Sequence, residues 1–444
     1  MPIKRSKGSS KSRNKSNENY ERKDIYERPN RSKSKIVGSG NFHIEFKNEA
    51  QSLAWAAFKQ HDVLFLIGPA GCGKALRMDA TLYGRSGPFK MRDVCVGDEV
   101  ANPDGGFSKV TGVFPQGKKE VYRIHFHDDT SVDCCAEHLW TVSSISDGFK
   151  NKTVNTEYIM KNAKTESGRR KLYIKATQPV NFDRAELPIP PYTMGVLIAE
   201  GCFRGSSLAF SSCDKEVASA VATEIFEGYK CHEYRKGTHL IGKINKNSHI
   251  ENEYKKSLQK LNLWGKKSED KFIPSIYLNA STDQRIALLQ GLMDGDGTVS
   301  KTGGISYSTS SSRLSEDFCQ LIYSLGGITR IRPKESGYTD KDGKYVKCLT
   351  NFRCQVNLPE DIKAFLLPRK NKLVKTRIKY KQRRYIDRVE KVGVDEMQCI
   401  SVDHRENLYL CDNYTVTHNS FLACAFAIEQ IINRDSNRNR IVLT

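Results

Sequence analysis

No stretch of about 18 apolar residues occurs in this 444-residue chain, so no membrane-spanning helix is expected. The N-terminus has no apolar core behind its lysines and arginines, which excludes a secretory signal. Acidic residues are in deficit: 51 Asp and Glu stand against 71 Lys and Arg, for a net charge of +20. That excess points to a polyanionic partner, nucleic acid first. The 13 cysteines are odd in number and lack a framework spacing. Without a secretory route they read as reduced thiols, and the expected location is the cytoplasm of a bacterial or phage-infected cell. With 38% hydrophobic residues the chain can build packed cores, and its length suits about three domains at roughly 150 residues each.

Residues 1–37 are basic and of low complexity, and they read as a disordered tail. In residues 38–74 the pattern turns globular, with an amphipathic helix and then the buried strand Val63–Ile67. Gly68, Gly71, Gly73 and Lys74 follow in the spacing of a phosphate-binding loop. Such a loop needs a Ser or Thr after its lysine, to hold magnesium, and a helix behind it. Here the next residue is Ala75, and LRMDATLYGRSGPF reads as strand and turn. The missing hydroxyl and helix lie far downstream, in Ser420 and the apolar run to Ile432, within residues 420–444. Joining Lys74 to Ser420 gives strand, loop and helix in the proper order. The intervening piece, from Ala75 to the His418-Asn419 pair, interrupts the motif.

That interruption resembles an intein, a protein-splicing element, and His418-Asn419-Ser420 matches the family's downstream junction. In this chemistry Asn419 cyclises onto its own carbonyl, His418 assists, and Ser420 supplies a hydroxyl that first accepts the acyl group. Inteins commonly begin with Cys or Ser; Ala75 carries no nucleophile. Either a cysteine was replaced by Ala75, or the chain resembles class 3 inteins, which attack the upstream junction with an internal cysteine. Cys399 in MQCISVD and Trp140, two residues after His138 in EHLW, favour the second reading. The resemblance implies that Cys399 attacks the Lys74 carbonyl, with His138 as the candidate acid for the Ala75 nitrogen. Trp140 is expected to pack beside Cys399. Cys135 stands where the family has Thr, and the family's second histidine falls near Leu408. No metal or cofactor is expected for splicing.

A repeat occupies the middle of the insert. MGVLIAEGCF, with Glu200, recurs as QGLMDGDGTV, with Asp296, each followed by a strand-like stretch and an amphipathic helix. This resembles the double-motif LAGLIDADG homing endonucleases. The resemblance implies two close-packed helices that bring Glu200 and Asp296 together as Mg2+ ligands, with Lys271 and Lys372 as candidate lysines near the metal-bound water. Double-stranded DNA of the uninterrupted gene is the implied partner.

The expected architecture is therefore multi-domain. An all-β Hint (horseshoe) splicing domain is built from residues 75–180 and 376–419, and an α+β double-motif LAGLIDADG endonuclease spans 181–375. Fragments of an α/β P-loop ATPase flank them, resembling a phage-type PhoH-like protein that binds ATP and Mg2+ once joined. A monomer is expected, with no membrane partner. The alternative is an ATP-binding protein that permanently retains a DNA-binding insertion.

Overall fold

The computed structural model describes residues 74–205, 207–245, 252–335, 337–339, 341, 343, 345–375 and 382–419. It also gives a short antiparallel strand pair, Ile36–Val37 with Ile44–Glu45. The P-loop glycines Gly68, Gly71 and Gly73, and Ser420 with the helix expected behind it, lie outside the described residues.

Immediately after Lys74 the chain forms strands, as the sequence predicts: Leu76–Arg77, Thr81–Gly84 and Gly87–Lys90. The organising feature is a pair of long antiparallel strands, Phe107–Phe126 and Arg383–Val402, each of 20 residues. Straight strands of that length would run about 65 Å at roughly 3.3 Å per residue. Four register shifts along the ladder, one at Met397/Gln398, break that straightness. Such irregularities bend the ribbon. Around this pair an eight-stranded sheet assembles from both sides of the sequence. A second sheet pairs Leu408–Cys411 with Thr415–His418 on one side and with Thr81–Gly84 on the other. Residues from the beginning and the end of the insert thus share hydrogen bonds in both sheets. The described part of the region is mostly β, but it departs from the all-β expectation with a two-turn helix, Thr156–Asn162, capped by the Asn155 side chain, and a short 3-10 turn, Met91–Asp93.

Between the two contributions lies the repeat. Each copy is a helix, Pro191–Glu200 or Thr282–Asp296, that runs into a four-stranded antiparallel sheet. The two sheets have the same order: first strand, second, fourth, third. A proline at the first turn starts one helix; a capping box of Ser281 and Gln284 starts the other. Glycine follows both, at Gly201 and Gly297. The helices touch backbone to backbone. A Cβ built on Gly291 would stand 2.2 Å from the Tyr192 carbonyl oxygen, and one on Gly195 would stand 2.4 Å from that of Leu288. Among the described residues no helix is long and apolar enough to cross a membrane.

The absence of side chains at these two positions sets the helix separation. Gly291→Ala should therefore push the helices apart and lower stability by about 1–3 kcal/mol, the usual cost of overpacking. A urea denaturation midpoint equal to wild type would contradict this.

Candidate functional site

Two clusters of reactive side chains form, one in the split sheets and one at the helix ends.

In the first, strand pairing brings the two ends of the insert together. Lys74 and Asn419, 345 positions apart, are in contact: the Lys74 ammonium donates to the Asn419 carbonyl oxygen. His418 reaches the same oxygen through Nδ1 at 2.7 Å. All three residues are buried. The Asn419 side-chain amide is best oriented with its nitrogen toward Asn407, because the opposite orientation sets its oxygen against acceptors only. Its nitrogen then donates to Asn407 Oδ1 at 3.2 Å and to the Asn407 carbonyl at 3.1 Å, while the Val402 N–H donates to its oxygen. Asn407 holds this position from a left-handed backbone, φ 56°, which Asn tolerates better than most residues. Sequence reasoning missed Asn407 and looked for an auxiliary histidine near Leu408. Leu408 is instead a buried strand residue paired with His418.

At the upstream end the Ala75 N–H donates to Cys135 Sγ at 3.3 Å, and Ala75 accepts from the Cys135 N–H at 3.1 Å. Burial pushes the Cys135 thiol up to about 11, so it carries its proton at neutral pH. Cys399 is buried on the strand Arg383–Val402. Met397 pairs with Arg77 and Gln398 with Leu76, so Cys399 follows directly on the pairing that ends beside Ala75. His138 is fully buried and meets Thr417 Oγ1 through Nε2 at 2.5 Å. Its buried Nδ1 makes no well-formed hydrogen bond among the described residues. Trp140 packs on the His138 ring at 4.8 Å and donates from its indole to Thr156 at 3.1 Å.

His138 was expected as the candidate acid for the Ala75 nitrogen, and its surroundings shift its titration strongly. Burial drives its pKa down to about 3; the Lys74 charge adds to this, and the backbone of Lys74 and Ala75 only partly opposes it. The ring is neutral at pH 7. The protonated group touching the Ala75 nitrogen is Cys135.

The second cluster sits where the paired helices end. The packing at Gly295, whose added Cβ would fall 3.2 Å from Glu200 Cγ, brings Glu200 beside the turn that carries Asp296. Burial raises the pKa of both carboxyls, Asp296 to about 7. The Glu200 charge raises Asp296 further, and Lys271 and Lys370 oppose the shift at both. Lys271 donates to the carbonyls of Ile198 and Gly201, each at 2.8 Å. Lys370 makes the matching set at the other helix, to Asp294 at 2.7 Å and Gly297 at 2.8 Å. Burial lowers both lysines, Lys271 to about 8. The repeat therefore pairs Lys271 with Lys370. Lys372, the expected partner, is the exposed residue capping the short helix Pro368–Asn371. Spacing concealed this, because Lys271 lies 70 residues beyond Gly201 and Lys370 lies 73 beyond Gly297.

Two half-buried carboxylates, the Glu200 charge raising the Asp296 pKa, suit a divalent cation, which removes the repulsion. Among the described residues no group of three or more His, Cys, Asp or Glu gathers around a metal position. Magnesium fits such a sparse site, since it is usually held by one or two carboxylates together with substrate phosphate.

Comparison with known proteins gives matches to parts of the chain. Residues 283–366, within the second repeat, match the model of a LAGLIDADG-like domain. The chain is 26% identical over 386 residues to a replicative DNA helicase DnaB of Mycobacterium intracellulare, covering 82% of this chain and 62% of that protein. It thus spans less than two thirds of that relative's length. It is also 28% identical over 174 residues to a DNA gyrase from Mycobacterium kansasii, covering 37% of this chain and 30% of that one. Among solved structures it is similar to the Msm DnaB1 intein splicing domain bound with zinc, at 11% identity and a TM-score of 0.24, covering 78% of this chain and 100% of that one. A DnaB intein from Synechocystis matches at 15% identity and a TM-score of 0.18, covering 23% of this chain and 68% of that one.

The neutral His138 has a measurable consequence. Its folded pKa lies below the ordinary 6.5, so the unfolded chain binds the extra proton. The stability it contributes is present above pH 6.5 and is lost as pH falls toward 3. In a chain held unspliced by Cys399→Ala and Asn419→Ala, moving from pH 7.5 to pH 5 should lower the urea midpoint more with His138 than with His138→Asn. Equal shifts would refute the buried neutral imidazole.

Proposed function

We propose that residues 75–419 form a self-splicing element of the class 3 type, joining Lys74 to Ser420, with an embedded site-specific DNA endonuclease. The single observation that carries the splicing reading is the contact of Lys74 with Asn419. A covalent exchange between the two junctions requires this proximity.

Cys399 Sγ bonds to the Lys74 carbonyl carbon, and the bond to the Ala75 nitrogen breaks. The thiol proton leaves the sulfur, and the nitrogen gains a proton from its surroundings, with the Cys135 thiol in contact. The register of Gln398 with Leu76 supports the approach of Cys399. Neutral His138, beside the Lys74–Ala75 backbone, polarises the junction, and Trp140 and Thr417 hold its ring. Ser420 Oγ then takes the acyl group and returns the Cys399 thiol. Asn419 cyclises and releases the insert. The freed Ser420 amine attacks its own ester, a neighbour at high effective concentration, and leaves an ordinary amide. No metal, ATP or cofactor enters these steps.

Glu200 and Asp296 would hold Mg2+, which when bound supplies charge stabilisation and an activated water for phosphodiester cleavage. Lys271 and Lys370 moderate the carboxylate charge from either side. Double-stranded DNA of the uninterrupted gene is the partner. Its phosphates would meet exposed cationic residues on the two sheets, such as Lys230 and Arg235 on one and Arg332 and Lys334 on the other. The joined flanks would restore the phosphate-binding loop of a PhoH-like ATP-binding protein, with Gly68, Gly71, Gly73 and Lys74 around the phosphates and Ser420 on magnesium.

Intact-mass analysis of the expressed chain tests splicing. Wild type should separate into joined flanks and an excised insert running from Ala75 to Asn419. Cys399→Ala should keep the upstream junction uncut, and Asn419→Ala should keep the downstream junction uncut. Normal splicing by Cys399→Ala would eliminate the internal-thiol mechanism. For the nuclease, a plasmid carrying the joined sequence should be cut in Mg2+. Cutting should fall at least about 100-fold in Asp296→Asn, as expected for loss of a group that stabilises transition-state charge. It should fall in Lys370→Met and persist in Lys372→Met. The reverse order of the two lysines would reject the assignment of Lys370.

A further inference from the structure

The Asn419 carbonyl is the bond that cyclisation attacks, and its oxygen already has two donors. One is His418 Nδ1, at 2.7 Å. The other is the ammonium of Lys74, which belongs to the upstream flank and not to the insert. Lys74 is only 5% exposed, so this contact forms inside the protein, where a charge–dipole interaction is little screened. His138, fully buried and held neutral, feels the Lys74 charge at the same place.

We propose that Lys74 is a catalytic residue at the downstream junction, its ammonium joining the His418 imidazole to bind the Asn419 oxygen as negative charge develops there. The inference rests on the splicing reading and adds a residue to it. In the step concerned, Asn419 Nδ2 bonds to its own carbonyl carbon and the bond to the Ser420 nitrogen breaks. The proton shed by Nδ2 ends on the Ser420 nitrogen. The carbonyl oxygen is most negative midway, when its carbon is tetrahedral. A full positive charge in contact with that oxygen, already in place before the reaction, lowers the barrier without costly rearrangement. Asn407, accepting two hydrogen bonds from Nδ2, orients the nucleophile.

The arrangement also links the two junctions chemically. Once Ser420 carries the acyl group, Lys74 is esterified to the residue next to Asn419, so its ammonium remains within reach of the oxygen. If the upstream bond is instead lost to water, Lys74 leaves with the upstream flank and the downstream step loses a donor. The lysine that would bind nucleotide phosphate in the joined host would thus first bind a developing oxyanion in the precursor.

The test uses the full chain. In a Cys399→Ala background, cleavage at Asn419–Ser420 is followed by intact mass for Lys74, Lys74→Arg, Lys74→Gln and Lys74→Met. Loss of the cationic donor should slow cleavage about 100-fold in Lys74→Met, the effect of removing one oxyanion donor. Arg should restore most of the rate, and Gln should lie between. With Cys399 intact, Lys74→Met should also accumulate the branched ester, seen as a slow-migrating band that hydroxylamine collapses, whereas Lys74→Arg should not. The second assay decides the matter if the Cys399→Ala chain cleaves too slowly to time. Equal rates for Met and Lys, with no branched species, would overturn the role of Lys74 and leave splicing intact. Failure of the wild-type chain to release any insert would instead overturn the splicing reading itself.

Discussion

The antiparallel ladder between Phe107–Phe126 and Arg383–Val402 is the constraint on which the first cluster depends. It joins segments separated by most of the insert, and its register fixes which residues meet at the junctions. Met397 and Gln398 pair with Arg77 and Leu76 on the neighbouring strand, and Leu76 pairs with Cys134 on the next. Ala75 extends the second pairing by accepting from the Cys135 N–H, and its side chain lies in a small buried cluster with Val121, Cys135 and Met397. A one-residue slip would turn Cys399 to the opposite face of the sheet. The irregularity between Met397 and Gln398 falls at this point, where a bulge re-aims side chains.

The helix-end cluster follows a different principle. Its geometry comes from missing side chains at Gly195 and Gly291, which let two backbones touch. The carboxylates carried at the helix ends are then half-buried, and that burial raises the pKa of both. The two lysines do not simply neutralise them. Each is also a cap, satisfying the carbonyls that the helix leaves open at its last turn. One ammonium thus serves both the backbone and the field around the carboxylates.

Much of this was legible in the sequence. The phosphate-binding spacing ends at Lys74 and the expected hydroxyl residue and apolar run follow at Ser420, a sequence signal that depends only on order along the chain. The repeated acidic-glycine helix ends gave Glu200 and Asp296, and the strands and helices following each copy formed as their patterns indicate. What escaped were properties created by distance in space. Lys370 was hidden because the connections preceding the two lysines differ in length, so no fixed offset identifies it. Asn407 depends on a left-handed backbone that places it against a residue on another strand. The identity of His138 was readable, but its protonation state was not, because that state arises from complete burial beside Lys74.

The junction of the two architectures has one more consequence. The strand Leu172–Lys175 pairs directly with the start of the long strand, Lys175 opposite Arg383. The chain therefore departs for the repeat and returns from it through neighbouring rungs, leaving the sheet unbroken at that seam. A genetic element could be gained or lost there as a cassette, because closing the gap requires only a tight connection between adjacent strands. Selection can then act on the split sheets and on the repeat separately, and one can outlast the other.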